Sequence, residues 1–458
     1  MSEETFSGDQ KSNRGLSSLA PQLQNHLGEL AALRTSGQPV PSETWDSVEA
    51  ISRTLASWEA VEWEAVAELF RFLRNAFAGS SENAAAAISN GALMQNLETL
   101  VKGLCELHTK DVSHAECVVG LRCSLQCLGN LVCSDPSAGS FVFKLLVAED
   151  AKMCTDLLKS PDAKVRQYSS MVLYNCLLPE RIEHFLKLAG SVGAIESLAD
   201  MVINTESEWS LFILERLLQQ DDVVPVFLKL SAHCRCILLD IAADQLTKVQ
   251  VEAALLPISL PLLEHVKIEL LGRVKAITMC SETTATGDPE ISEICKLLKV
   301  LCLASANEKL KSFFSDGAEL LATALEVLKM VHLLGKSGKN AFTPAQHLDD
   351  FTEVDKGTSE LTVHPSFGFK RDLVQLIGNM CHQNRKHQDL VRNLEGMPVI
   401  LDACSLDAKN PFIIQHAILA IRNLLEGNLE NQAIVASLVQ QGVVTDAPLI
   451  KEMGIKFE

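Results

Sequence analysis

Leu373-Val374-Gln375-Leu376-Ile377-Gly378-Asn379-Met380-Cys381 and Ala417-Ile418-Leu419-Ala420-Ile421-Arg422-Asn423-Leu424-Leu425 follow one template. Apolar or small residues stand at i, i+3, i+4, i+7 and i+8, and an asparagine stands at i+6. That spacing lines one face of an α-helix and sets the asparagine beside the apolar stripe. Leu69, Phe72, Leu73, Ala76 and Phe77 repeat it with Asn75. Ser124, Cys127, Leu128, Leu131 and Val132 repeat it with Asn130, and Ser169, Val172, Leu173, Cys176 and Leu177 with Asn175. A degenerate copy, Ile294 to Cys302, has Val300 at the asparagine position.

The helices recur at a fixed distance. Asn130 and Asn175 are 45 residues apart, and Asn379 and Asn423 are 44 apart. A glycine follows the Asn75, Asn175, Asn379 and Asn423 copies at Gly91, Gly193, Gly396 and Gly442, with Gly317 after the degenerate one. The expected role of these glycines is a turn of positive φ between two helices. A period in the low-to-middle forties belongs to armadillo and HEAT arrays. The expected fold is therefore all-α, an armadillo/HEAT-like right-handed superhelical solenoid.

Composition agrees. Of 458 residues, 47% are hydrophobic, with only 2 Tyr and 4 Trp, which suits stacked helices better than sheets. The net charge of −18 argues against nucleic acid or an anionic membrane as a partner. Arg385-Lys386-His387, the best short basic run, reads as a solvated loop. No uninterrupted apolar run reaches the ~18 residues of a membrane span. Met1 to Gly15 lacks the apolar core of a secretory signal. The 14 cysteines read as small core residues kept reduced.

Four regions follow. Residues 1–18 read as a disordered N-terminus, 19–334 as divergent repeats, 335–366 as a flexible polar loop and 367–458 as a C-terminal set of repeats. Residues 205–290 keep a helical pattern, with Trp209, Phe212, Ile213 and Leu217 in one stripe, but set no repeat register. Pro161-Asp162-Ala163 reads as a helix start with proline at an early position. The Ser/Thr-bearing stretches 2–18 and 335–366 could accept phosphate.

No catalytic motif is present: no nucleophile elbow, no phosphate loop and no His-Glu-x-x-His pair. Gly335-Lys336-Ser337-Gly338 has phosphate-loop residue types without the required earlier glycine. His233-Cys234-Arg235-Cys236 supplies too few ligands for a structural zinc site. The chain reads as a non-enzyme without metal or cofactor. The candidate protein-binding residues are Asn75, Asn130, Asn175, Asn379 and Asn423, placed on a concave face where an amide could both donate to and accept from an extended peptide. The alternative is that each amide bonds a neighbouring repeat. Nuclear-import receptors place tryptophan four residues before such asparagines. Here those positions hold Arg71, Gln126, Met171, Gln375 and Leu419, which argues against that kind of groove.

Phe367-Gly368-Phe369-Lys370-Arg371-Asp372-Leu373, then Leu394-Glu395-Gly396, Asn410-Pro411-Phe412-Ile413 and Ala420-Ile421-Arg422-Asn423-Leu424 resemble the C-terminal domain of the ataxin-10 family. The family commonly continues Glu-Trp-Ala-Ile where this chain has Gln415-His416-Ala417-Ile418. The resemblance implies a non-enzymatic armadillo-repeat scaffold or adaptor with roles in cytokinesis, neurite outgrowth and neuronal survival through Ras–MAP kinase signalling. It implies a cytoplasmic, perinuclear location, with the centrosome, cilium basal body and midbody as further sites. It names O-linked N-acetylglucosamine transferase and a G-protein β subunit as partners, and self-association as a property. The alternative is a helical-repeat regulator of a GTPase or G-protein subunit.

Overall fold

The computed structural model describes residues 39–57, 63–248, 256–279, 289–337, 340–344, 364–405 and 409–438, with isolated positions besides. The expected N-terminal disorder at 1–18, residues 345–363 of the expected loop, and Gly442 lie outside these residues. Every described element is helical; no strand occurs among the described residues. The chain is an all-α solenoid arranged as two compact units, residues 1–229 and 230–458.

Each complete repeat of the first unit is built from three helices. Ser81–Ser89 is short, Gly91–Lys110 is long, and Ala115–Ser134 carries Asn130. Gly139–Leu146, Ala148–Leu158 and Ala163–Cys176 repeat the set with Asn175, and Pro179–Lys187, Ser191–Thr205 and Glu208–Leu218 repeat it again. The third helices form one layer. The Asn75 helix, Trp63–Phe77, packs on the Asn130 helix, that on the Asn175 helix, and that on Glu208–Leu218. The second helices, from Ser42–Ala56 through Gly91–Lys110 and Ala148–Leu158 to Ser191–Thr205, form the other layer. The second unit repeats the plan. Ala232–Thr247, Pro289–Ser305, the Asn379 helix (Phe369–Cys381) and the Asn423 helix (Ile413–Leu425) stack in that order.

Burial follows the template. Leu69, Phe72, Leu73 and Phe77 are fully buried, as are Leu376, Ile377 and Cys381. No repeat could hide such a stripe alone, so each is stabilised by its neighbour. Ala115–Ser134 has the length and hydropathy of a membrane span, yet it is mostly buried between the Asn75 and Asn175 helices. Side-chain caps fix the starts of many helices. Ser80, Asn90, Asp162, Ser207, Ser231, Asn384 and Asn428 each accept a hydrogen bond from the backbone N–H three residues on. Asp162 is the cap of the Asn175 helix, so Pro161 precedes that helix instead of lying inside its first turn.

The structure settles the register that the sequence left open. In Glu208–Leu218, Ser210, Ile213, Leu214, Leu217 and Leu218 are the buried set, which puts Arg216 at the asparagine position. Trp209 and Phe212 therefore stand beside the core stripe. In Ala232–Thr247 the set Cys234, Ile237, Leu238, Ile241 and Ala242 puts Asp240 there.

Other expectations are corrected. The described repeat glycines, Gly91, Gly193, Gly317 and Gly396, do not turn the chain by positive φ. Gly396 has φ −86°, and the left-handed residue is Glu395 at φ 52°. Gly396 is needed for space, because a Cβ there would lie 2.6 Å from Leu325 Cδ2. Arg385-Lys386-His387 is the first turn of the helix Arg385–Asn393, not a loop, and His387 is buried. The polar segment begins later than residue 335. Gly335, Lys336 and Ser337 finish the helix Ala318–Ser337, and Ala341 and Phe342 are buried, with the Phe342 ring 6.3 Å from that of Phe369. Apolar packing at these positions overrides the polar local composition.

Thirteen described cysteines are free thiols, and nine of these are buried. Burial pushes the Cys117 thiol up to about 11 and those of Cys154, Cys176 and Cys381 up to about 12. Thiolate is the reactive form, so these groups are inert while the repeats stay closed. Native-state alkylation followed by mass spectrometry should label exposed Cys133 before any buried thiol. Early labelling of Cys176 or Cys381 would refute the packing.

Candidate protein-interaction surface

At four of the five template helices the asparagine donates to the preceding third helix. Asn130 Nδ2 donates to Arg74 O at 2.9 Å, and Asn423 Nδ2 donates to Gly378 O at 2.9 Å. In both cases the acceptor is the carbonyl just before the previous asparagine. Asn379 Nδ2 reaches Ser305 Oγ at 3.0 Å and Cys302 O at 3.4 Å on the preceding helix. Asn175 Nδ2 points at Cys133 Sγ, 3.2 Å away. Arg216 follows the rule with a guanidinium: its Nη1 donates to Tyr174 O at 3.2 Å and Leu177 O at 3.3 Å. These side chains act as rungs between consecutive third helices.

Amide N–H groups of Asn130, Asn175, Asn379 and Asn423 are therefore engaged within the protein. The carbonyl ends differ. Asn75 Oδ1 accepts from Arg74 at 3.2 and 3.3 Å. No hydrogen bond among the described residues reaches Oδ1 of Asn130, Asn175, Asn379 or Asn423, all of which are half-exposed. Asn75, Asn130 and Asn175 share one row in the first unit, and Asn379 and Asn423 share one in the second. The oxygens of Asn130, Asn175, Asn379 and Asn423 are open acceptors, and an amide nitrogen carries two N–H groups, so a single rung bond does not use up its capacity to donate.

A second polar device recurs where one helix ends and the next begins. Asn83, His387 and Asn431 each stand three residues after a helix cap, are nearly fully buried, and bond the carbonyl seven residues back. The distances are 3.0 Å from Asn83 to Ala76 O, 2.8 Å from His387 to Met380 O and 2.8 Å from Asn431 to Leu424 O. Gln388 Nε2 adds a link to Asn423 O at 2.8 Å. These groups satisfy the carbonyls freed at the end of one helix as the next begins. The signal in the sequence was a cap residue followed three positions later by another polar side chain, at Ser80/Asn83, Asn384/His387 and Asn428/Asn431.

The C-terminal motif is a clamp. Gly368, at φ 83°, donates its N–H to Lys409 O at 2.9 Å, and Arg371 N donates to Asn410 Oδ1 at 3.1 Å. Buried Lys370 pairs with buried Asp407 at 3.0 Å, and Asn410 Nδ2 donates to the same carboxylate oxygen at 3.1 Å. The motif pieces around Gly368 and Asn410 thus meet and fix the start of the Asn379 helix. Residues 369–458 match the family model for the spinocerebellar ataxia type 10 protein domain. A Bos taurus protein named Ataxin-10 is 31% identical over 404 residues, covering 86% of this chain and 80% of its own length. The chain belongs to the ataxin-10 family. Homo sapiens Ataxin-10 is 30% identical over 399 residues, covering 86% of this chain and 80% of its own. The Dictyostelium discoideum Ataxin-10 homolog is 38% identical over 108 residues, which are 24% of this chain and 18% of that one.

In this ataxin-10 relative the family motif is thus explained by folding. Exposed Phe412 is the exception. It holds φ 66° with 69% of its surface open. A polar cleft of about 210 Å³ lies beside the clamp, lined by His332, Lys336, Lys370, Asp402 and Asp407 among others. Its charged groups are spent on one another. His332 Nε2 and Lys336 Nζ lie 3.0 and 3.1 Å from Asp402, and Lys370 holds Asp407. Burial and then the charges of Lys336 and Lys370 hold the His332 pKa below its ordinary value against the pull of Asp402. Among the described residues no group of three His, Cys, Asp or Glu is placed to hold a metal. Cys234 is a core residue, and neighbouring Arg235 is committed to Glu293.

Proposed function

We propose that the chain is a non-enzymatic scaffold or adaptor that binds other proteins along the asparagine-bearing edges of its repeats. The observation that carries this reading is the row of half-exposed amide oxygens. At Asn130, Asn175, Asn379 and Asn423 the oxygen is held in place by the amide's own N–H bond to the neighbouring helix, and none of these four oxygens has a described donor. Fixed acceptors at successive repeats suit the N–H groups of an extended segment, and little ordering entropy remains to be lost on binding. The paired charges of the polar cleft support a role without catalysis.

The family resemblance supplies the setting. The reading places the protein in the cytoplasm, around the nucleus and at centrosome, basal body or midbody, with work in cytokinesis and neurite outgrowth. O-linked N-acetylglucosamine transferase and a G-protein β subunit are the first partners to try.

The test is co-purification from cells, using two variants of the second unit. Asn379→Ala plus Asn423→Ala removes the amides, and should also cost about 1 kcal/mol of stability per lost rung. Leu419→Ser plus Arg422→Ser changes exposed side chains beside Asn423 and should leave the melting curve where it was. Loss of the same proteins from both variants supports the edge as the binding surface. Retention of the wild-type set by both, at equal folding, refutes it.

A further inference from the structure

We propose that Tyr174, Trp209, Phe212 and Arg216 form a docking site for an extended acidic peptide, one that brings a carboxylate to Arg216 and an apolar side chain to Trp209 and Phe212. This deepens the proposed function and rests on it, because the four residues flank Asn175 on the edge of the first unit.

The chain has only 2 Tyr and 4 Trp, and one of each is brought together here. Ring centroids of Tyr174 and Trp209 are 5.2 Å apart, those of Tyr174 and Phe212 5.8 Å, and those of Trp209 and Phe212 6.3 Å. Phe212 is 38% exposed, and Tyr174 and Trp209 are half-buried. The core of this helix is complete without them, since Ile213, Leu214, Leu217 and Leu218 fill the stripe. No described group hydrogen-bonds Trp209 Nε1–H or the Tyr174 hydroxyl. Half-open aromatic rings with unspent polar edges, next to arginine, are the composition of interface hot spots.

Arg216 decides the charge of the ligand. Its guanidinium carbon sits 3.8 Å from the centre of the Tyr174 ring. Nη1 is used on Tyr174 O and Leu177 O. That leaves the edge formed by Nε and Nη2 with no described partner, and this edge is the fork that takes a carboxylate in two parallel hydrogen bonds. On the third-helix layer Arg71 pairs with Glu68 and Arg122 with Asp162, while Arg74 spends Nε, Nη1 and Nη2 on Asn75 and Gln126. Arg216 has no described carboxylate, in a chain that carries 58 of them. A cationic ligand is disfavoured because Arg216 already covers one ring face. Stacking holds the fork rigid, so less freedom is lost when an acid binds.

The peptide is extended because of the repeat geometry. Phe212 stands four residues before Arg216, as Met171 does before Asn175, so one helical turn separates each apolar contact from its rung. Neighbouring third helices are about 8–10 Å apart by general packing distances, which an extended chain crosses in roughly three residues.

The experiment selects a phage-displayed library of random 12-residue peptides on the full chain. Enriched peptides carrying a fluorescent label are then titrated by fluorescence anisotropy against wild type, Trp209→Ala and Arg216→Lys, each checked for an unshifted melt. The expected result is enrichment of sequences with a fixed acid beside an apolar residue. Binding should weaken at least 10-fold in both variants and when the peptide acid becomes its amide. Arg216→Lys keeps the charge and loses the fork, so a loss there reports geometry. Peptides that bind both variants as wild type but fail with Gln126→Ala plus Asn130→Ala overturn this site and leave the edge standing. Enrichment of no peptide over an unrelated control protein overturns both.

Discussion

Replacing Glu293 by Gln should cost the second unit about 3–5 kcal/mol, the usual effect of removing one partner from a buried ion pair. Glu293 is 3% exposed. Its Oε1 accepts from Arg235 Nε at 2.6 Å, while its Oε2 accepts from Arg235 Nη2 at 3.2 Å and Arg273 Nη2 at 3.0 Å. One carboxylate thus ties Ala232–Thr247, Leu260–Arg273 and Pro289–Ser305 together. Without it Arg235 loses the carboxylate it pairs with, whereas Arg273 keeps Glu269 and Glu290 at 3.4 and 3.8 Å, and both arginines keep some access to water, which favours the low end of the range. The thermal midpoint should fall by roughly 6–12 °C for a unit of this size. Adding Arg235→Met to Glu293→Gln should recover part of the loss, since one unpaired cation is removed. Burial alone would raise the Glu293 pKa, but the hydrogen bonds from Arg235 and Arg273 overcome it and hold the group below its ordinary value near 4.5. The folded pKa is depressed, so the stabilisation is fully present above that ordinary value and is lost as pH falls through the folded one. The gap between wild type and Glu293→Gln should be constant at neutral pH and close in acid. Equal melts at pH 7 would refute the tie.

The template made the Asn75, Asn130, Asn175, Asn379 and Asn423 helices legible, because it reports burial on a single face. Their stacking order was legible too, since a stripe that cannot be hidden alone must meet the next one. The register of 205–290 was not. There the asparagine is replaced by Arg216 and Asp240, two residues that fill the same position by different chemistry. Arg216 still bridges backwards to Tyr174 O, whereas Asp240 pairs with Lys296 of the next helix. The glycines misled because two needs call for the same residue: positive φ and close approach. Only coordinates distinguish Glu395, which carries the positive φ, from Gly396, which carries the contact. His387 and Asn431 were hidden for a related reason. A polar residue in a polar stretch looks solvated until its carbonyl partner, seven residues back, is known. The amide oxygens of the candidate row were legible as residue type. Which half of each amide faces outward depends on the partner across the helix pair.

Gly378 supplies the second large effect. A Cβ built at Gly378 lies 2.8 Å from Ala420 Cβ and 2.9 Å from Ala420 Cα, well inside contact distance and partly against backbone. Two helices approach this closely only because one position has no side chain. The same approach lets Asn423 Nδ2 reach Gly378 O at 2.9 Å. In an open helix, Gly→Ala would stabilise by about 1 kcal/mol through propensity. Here the methyl must push the Asn423 helix away, and overpacking of that kind costs about 1–3 kcal/mol. The lost rung adds about 1 kcal/mol. Gly378→Ala should therefore destabilise by about 1–3 kcal/mol net, and Gly378→Val, with two more carbons to place and a β-branched residue in a helix, should do worse. Denaturant titration of both variants checks the size. Ala420→Gly in the Gly378→Ala background returns the removed space from the opposite side. It should restore part of the loss, since the contact with Ala420 Cα at 2.9 Å remains, and any such recovery is a coupling that independent sites would not show. A Gly378→Ala chain more stable than wild type would mean that propensity wins and that the helices are not in contact there. The effect also bears on binding. Moving the Asn423 helix by even a few tenths of an ångström shifts the Asn423 oxygen relative to that of Asn379. Partners that span both acceptors should then weaken in Gly378→Ala and recover in the double variant, in step with stability.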